Sequence, residues 1–521
     1  MAARVKLNGP YGQGHLEYSR CTISVAKKSA SYELALAQPN SGVPAYQWLY
    51  EGVRSQILAG GLRPGTRLPA TRDLARQYGL ARGTIVNAFE QFASEGYVEG
   101  SVGSGTYVSK VLPESLLQVS SAPAAKPAAR GKRRPVASGF ARRVQLFPGY
   151  ENRPTRAFRA NLPALDLFPV TLWTKTATRC LRRISSRNLM GCDALGYARL
   201  RQSVADYLSQ SRGVRCVPEQ VAIVSGVQEA LDLTARLLLD PGARVCMENP
   251  GYPGAALAFR SFGAKVYYAG IEKDGIAISR LPARGVRLIY VTPAHQFPLG
   301  ATMSLARRLQ LLEWARKSGA FIFEDDYDSE YRYSGRPIPA LQGLDTRGSV
   351  LYAGSFSKVL FPALRLGYMV IPFDLLHRFE AALSLSVRHA PMLEQLVLTA
   401  FITEGHFGRH VRRMREVYAE RLSVLLEEAR QRLAGLLEIS GVEAGLQTVG
   451  WLSPAMKAES AASAAAKRNV DVTPLGRYGH GRAVPEGLQL GFAAVDAKEI
   501  RRGVAELAIA LEQERKTFAG A

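Results

Sequence analysis

Apolar side chains recur at helical spacing three times between Pro44 and Gly96, and then give way to short alternating runs. Tyr46, Leu49, Val53, Ile57 and Leu58 mark the inner face of a first helix. Gly60-Gly61 ends it, and Arg63-Pro64-Gly65 turns the chain. Leu74, Ala75 and Tyr78 predict a second helix over residues 71–78, with Thr71 as its N-cap. Beyond Gly79, Ile85, Phe89 and Phe92 share one face of a third helix over residues 81–95. Two short strands, 97–99 and 106–109, follow, joined by Gly100-Ser101-Val102-Gly103-Ser104-Gly105.

The pattern then changes twice. Residues 111–159 are rich in Ala, Pro, Lys and Arg, and no core is expected there. Within it Lys126, Arg130, Lys132, Arg133, Arg134, Arg142 and Arg143 occur with no acid among residues 126–143, which fits a solvated tether or a phosphate-contacting arm. From residue 160 to 515 short apolar runs alternate with helical periods. Strands are expected at 221–224, 244–247, 265–268, 288–291, 321–324, 350–353 and 367–371, with helices such as 227–239 and 305–317 between them. That alternation predicts an α/β domain around a mostly parallel sheet. A long helix over 381–398 and the chain after His406 predict a small C-terminal subdomain. Residues 1–41 show no period and are read as an N-terminal extension. The chain therefore divides into 1–41, 42–110, 111–159 and 160–515.

Charge sharpens this division. The chain has 521 residues, too many for one core, and a net charge of +23. Residues 1–150 alone carry 19 Lys and Arg against 8 Asp and Glu. Such a surplus favours a polyanion, nucleic acid first. Cys21, Cys180, Cys192, Cys216 and Cys246 show no Cys-x-x-Cys spacing, so neither a metal site nor a disulfide frame is expected. No apolar run has membrane-spanning length and no signal core opens the chain, so a cytoplasmic protein with no membrane partner is expected.

Helix, turn, helix and glycine-rich hairpin compose a winged helix-turn-helix, an α+β unit. Its third helix would enter a major groove of operator DNA, with Arg82 and Thr84 near bases or phosphates and Arg72 on the backbone. The hairpin tip, Gly103, Ser104 and Gly105, would approach a minor groove, because glycine lets backbone come close. The run Leu62-Arg63-Pro64-Gly65-Thr66-Arg67-Leu68-Pro69-Ala70-Thr71-Arg72-Asp73-Leu74-Ala75 resembles the GntR regulators. So do Phe89-Glu90-Gln91-Phe92-Ala93-Ser94-Glu95-Gly96-Tyr97-Val98 and Gly103-Ser104-Gly105-Thr106-Tyr107-Val108. The family commonly has a polar residue where Gly83 stands.

The α/β half carries a second chemistry. Ser355-Phe356-Ser357-Lys358, with Arg365 seven positions on, places one amine among hydroxyls and a guanidinium. A lysine there can condense with an aldehyde while its neighbours hold a phosphate, which are the needs of pyridoxal 5'-phosphate (PLP). Ser225, Gly226 and Val227 follow a strand and open a helix, where backbone N–H groups receive phosphate. Tyr252 offers a ring to stack on a pyridine. Glu324-Asp325-Asp326-Tyr327 ends a strand, and a carboxylate there can pair with a protonated ring nitrogen.

These segments resemble fold-type-I aminotransferases. Pro293-Ala294-His295-Gln296-Phe297-Pro298-Leu299-Gly300 and Glu324-Asp325-Asp326-Tyr327-Asp328-Ser329-Glu330-Tyr331-Arg332-Tyr333 resemble the MocR subfamily of GntR regulators, in which a winged helix is fused to an aminotransferase-like domain. The resemblance implies that Lys358 forms the internal aldimine, Asp325 meets the ring nitrogen and Tyr327 the ring hydroxyl. Tyr252 then stacks, and Ser355, Ser357 and Arg365 hold phosphate. It further implies a regulator that answers to PLP or a small amino compound, in a head-to-tail homodimer. An aminotransferase with a vestigial DNA module is the alternative. Many amino-acid-binding relatives carry a carboxylate-anchoring arginine in the C-terminal strand, where Gln489 stands here. Arg477 is the nearby substitute, and Pro253-Gly254 after Tyr252 leaves out a further effector arginine.

Overall fold

The computed structural model describes residues 34–36, 43–101, 105–112, 137–147, 154–333, 338–439, 441–454, 456–481 and 484–519. The chain forms two compact units, Met1–Arg134 and Pro135–Ala521.

In the first unit α1 (Ala45–Leu58), α2 (Thr71–Tyr78) and α3 (Arg82–Ser94) precede the antiparallel strands β1 (Val98–Ser101) and β2 (Gly105–Val108). Leu49, Val53 and Ile57 pack with Ile85, Phe89, Phe92 and Val108 in one core. Burying each such large side chain stabilises the unit by roughly 1.5–3 kcal/mol. Tyr46 and Leu58, expected inward, are each 45% exposed. Leu58 is one step past Ile57, and that step turns it about 100° away from the buried stripe. Thr71 is the first helical residue and not the cap. Ala70 caps α2 without a side-chain bond, while Asp73 supplies negative charge in the first turn. Leu34, in the segment read as an extension, is buried in this core, and its carbonyl accepts from Gln77 Nε2 at 2.7 Å.

The second unit is built on an eight-stranded sheet ordered β3-β10-β9-β8-β7-β4-β5-β6. Its strands are β3 (Val221–Val224), β4 (Arg244–Asn249), β5 (Lys265–Glu272), β6 (Gly275–Ile276), β7 (Val286–Val291), β8 (Phe321–Asp326), β9 (Val350–Ser355) and β10 (Gly367–Val370). The run from β9 to β5 is parallel, and β10 lies antiparallel to both β9 and β3. Helices cover both faces, so the central strands are apolar on both sides. The C-terminal subdomain carries an antiparallel sheet ordered β11-β12-β14-β13: β11 (Leu437–Ile439), β12 (Gln447–Leu452), β13 (Thr473–Pro474) and β14 (Gly487–Gly491).

Two expectations change here. The helix predicted over 381–398 is two helices, Phe373–Ser386 and Met392–Thr403. Pro391 has no N–H to continue the first and disfavours helical backbone at Ala390, while Arg388 turns the chain at φ +63°. The stretch expected as a tether over 111–159 also contains a helix. Ser138 caps α4 (Gly139–Arg143), which packs within the second unit through Phe140 and Phe262, with ring centres 5.1 Å apart.

Candidate cofactor site and DNA-reading surface

The ends of β4, β8 and β9 and the loop from β3 meet at one cavity of about 530 Å3. Its lining includes Gly226, Val227, Tyr252, Asp325, Tyr327, Ser355, Ser357, Lys358 and Arg365. Nine of the ten residues expected at a cofactor thus come together at strand ends, where open α/β sheets bind ligands. Ser225 stands behind the wall, with its N–H donated to Glu229 Oε2 at 2.5 Å.

At the centre Lys358 Nζ donates to the Asn161 carbonyl at 2.6 Å. Burial pushes this amine down to about 8, although Asp328 and Asp325 hold it up in part. It is therefore a better nucleophile near neutral pH than a surface lysine. Opposite it, Asp325 Oδ2 accepts the Tyr290 hydroxyl at 2.7 Å, and Asp325 Oδ1 is buried with no partner. Burial pushes this carboxyl up to about 7, even though the Tyr290 bond favours its ionised form. Asp326 points to the far side. Its Oδ2 accepts from Arg212 Nε–H at 2.7 Å and from the Tyr352 hydroxyl at 2.7 Å. Burial alone would raise Asp326, but Arg212 wins and holds it below the usual carboxylate range.

Another part of the cavity wall suits an anion. Gly226, at φ +128°, opens the helix Val227–Leu238, whose first N–H groups have no intrahelical partner. A Cβ on Gly226 would lie 3.4 Å from the Arg365 guanidinium, and one on Gly367 would lie 3.0 Å from the Gly226 Cα. Glycine at both places lets the loop, β10 and Arg365 close on one point. Ser357 Oγ is buried there without a partner, and Ser355 Oγ accepts the Ser357 N–H at 3.1 Å. A phosphate would satisfy these donors together with Arg365.

Aromatic rings make the remaining wall. Tyr252 meets Phe297 edge to face at 5.7 Å and Phe147 at 6.5 Å. Gly254 makes room for it, since a Cβ there would come within 2.6 Å of the Tyr252 ring. The Tyr327 hydroxyl and both Asp328 oxygens each lie 3.0 Å from His295 Nδ1. A pyridine ring nitrogen, ring oxygen, aldehyde and phosphate therefore each have a counterpart in the residues present, so the site fits PLP. Asn161, Tyr290, Phe297 and Phe147 had no assigned role in the sequence. Tyr290 lies in an apolar run that reads only as a strand, and Phe147 lies in the stretch read as a tether.

The expected carboxylate anchor is differently disposed. Arg477 pairs with Glu459 at 3.0 Å, and its side chain is 59% exposed. Gln489 is fully buried and accepts the neighbouring Tyr478 hydroxyl at 2.7 Å.

On the first unit Arg72 and Arg82 are exposed near the starts of α2 and α3, and Thr84 is half-buried in the first turn of α3. Gly105 opens β2 at φ +110°, and a Cβ there would come within 2.8 Å of Arg67 Nε. Arg67, not singled out from the sequence, thus lies against the wing. Gly103 and Ser104 fall outside the described residues.

Residues 45–108 match the family of bacterial regulatory proteins, gntR family, and residues 159–507 match aminotransferase class I and II. The chain is 40% identical to the probable rhizopine catabolism regulatory protein MocR of Rhizobium meliloti, over 90% of this chain and 94% of that one. The chain belongs to the MocR subfamily of GntR transcriptional regulators. Another relative of this MocR-type chain is the HTH-type transcriptional regulator TauR of Rhodobacter capsulatus, 33% identical over 89% of this chain and 96% of that one. Its second unit is similar to LysN, the α-aminoadipate aminotransferase of Thermus thermophilus, solved with N-(5'-phosphopyridoxyl)-L-leucine. That similarity has a TM-score of 0.63 and 29% identity, covering 73% of this chain and 96% of LysN. Among the described residues no helix is long and apolar enough to cross a membrane.

Proposed function

We propose that this MocR-type regulator holds PLP covalently on Lys358 and responds to PLP, alone or with a small primary amine, by changing its grip on operator DNA. The observation that carries this reading is the pairing of Lys358, an amine lowered by burial, with the unpartnered Oδ1 of Asp325 in one cavity. When bound, PLP supplies an aldehyde for the amine and a ring that withdraws electrons once its nitrogen is protonated. Asp325 holds that proton, with Tyr290 fixing the carboxyl's other oxygen. The amides of Val227 and Gln228, Ser355, Ser357 and Arg365 bind phosphate. Tyr252 covers the ring, and Tyr327, steadied by His295, meets the ring oxygen. The solved LysN complex carries a phosphopyridoxyl group in the same fold, which supports this assignment.

On DNA, α3 lies in the major groove with Arg82 and Thr84 at its start, Arg72 touches backbone, and Gly105 and Arg67 follow the wing along the minor groove. The protein acts in the cytoplasm as a head-to-tail homodimer, on direct or inverted half-sites. A ligand changes this grip only if it binds one conformation better than another. The rival activity is aminotransferase turnover, since Lys358 and Asp325 are the groups that chemistry requires. Multiple turnovers with a keto-acid acceptor would establish the rival. The proposal itself is tested by incubating the full chain with PLP, reducing with borohydride and mapping the adduct. A phosphopyridoxyl group on the Lys358 peptide is expected; a chain left unlabelled would overturn the reading.

A further inference from the structure

We propose that residues 137–147, at the end of the chain that leads from the winged helix, form a strap that walls the cofactor cavity with Phe147. Occupancy of the cavity then fixes the strap. The inference rests on reading that cavity as a PLP site.

The strap is anchored along a single helix, α5 (Pro253–Ser261). At its C-terminal end, Arg143 Nε donates to the Ser261 carbonyl at 3.2 Å, and Phe140 packs on Phe262. Gly263 accepts the arginine closely, since a Cβ there would lie 3.2 Å from the Arg143 guanidinium. At its N-terminal end, the cap residue Tyr252 meets Phe147, and both rings line the cavity. A helix of 9 residues is about 13 Å long. The four steps from Arg143 to Phe147 reach at most about 14 Å. Val144 is extended, so the strap runs beside α5 with little slack.

The strap is also lightly held. Val144, Leu146 and Phe147 are 49%, 93% and 44% exposed. Few buried contacts oppose its opening, which puts it at the low-stability end of the fold. A ring bound in the cavity that Phe147 lines would add apolar contact to it, and that contact favours the closed strap. In sequence the strap follows the basic run that ends at Arg134.

Trypsin reads the strap directly, because Arg142 and Arg143 lie in it. The full chain is digested with and without PLP, as wild type, Phe147→Ala and Phe147→Leu, and borohydride trapping on parallel samples reports loading. In wild type PLP should slow cleavage after Arg142 and Arg143 by roughly ten-fold. At PLP concentrations where trapping shows equal loading, Phe147→Ala should lose that protection and Phe147→Leu should retain most of it. Loaded wild type cut as fast as the empty protein would overturn the inference, as would Phe147→Ala protected like wild type. If wild type fails to load at all, the PLP reading falls, and the strap's role falls with it.

Discussion

At the scale of single residues, two buried groups set the chemistry and its pH dependence. Lys358 lowered to about 8 predicts that PLP attachment speeds up as pH rises through that value, because the neutral amine attacks. Absorbance followed after mixing checks this, and a flat profile would remove the lysine from the step. Asp325 and Glu248 are both pushed up to about 7 by burial. Their unfolded values are about 4, so between roughly pH 4 and 7 the folded chain holds protons that the unfolded chain releases. Stability contributed by the protonated carboxyls is therefore lost as pH rises through 7. A pyridinium N–H on Asp325 favours the ionised carboxyl and offsets that loss. The Tm increment given by PLP should then be larger at about pH 7.5 than at about pH 5.5, and equal increments would contradict the ring-nitrogen assignment. The choice between Asp325 and Asp326 shows what sequence could and could not carry. Adjacent strand residues point to opposite faces, so one of the pair must face away, but only the position of Arg212 fixes which.

At the scale of elements, the strands and helices were legible because burial on both faces writes continuous apolar runs and because glycines punctuate them. Boundaries were lost where chemistry other than hydrophobicity decides. Pro391 split one expected helix, and Ala70 took the capping position that Thr71 would have suited. The strap was invisible because its residues, mostly exposed, have the composition of a linker. Tight element packing gives a further expectation. Gly254→Ala drives a methyl into the Tyr252 ring and to within 2.5 Å of Gln228 Oε1. Overpacking of this kind costs about 1–3 kcal/mol, so PLP affinity should fall while the secondary structure persists. Circular dichroism paired with a PLP titration separates the two, and unchanged affinity would deny Tyr252 its stacking role. On the first unit, Arg82→Ala or Arg72→Ala should weaken operator binding by about 1–3 kcal/mol if a base contact is lost, or reduce the salt dependence if only phosphate is touched. Unaltered affinity and salt slope in both variants would remove α2 and α3 from the groove.

At the scale of the whole molecule, one chain joins a GntR-type winged-helix unit to an aminotransferase-like unit. The surplus of positive charge in residues 1–150 and the order of motifs made that division readable. The amine chemistry proposed for the cavity was not readable, because its wall is assembled from strands far apart in sequence. Gln489 illustrates this: it occupies a strand position associated with carboxylate recognition, yet its contact is Tyr478. Gln489→Arg should extend the spectral response to α-amino acids, and no change in the amine profile would count against a carboxylate-anchoring role for this position. The most direct test of the central claim is operator affinity measured across a PLP titration, in wild type and in Lys358→Ala. Wild-type affinity should shift with the same midpoint as the cofactor's absorbance, and Lys358→Ala should bind DNA without that shift. An operator affinity that stays constant while wild type takes up PLP would contradict the account.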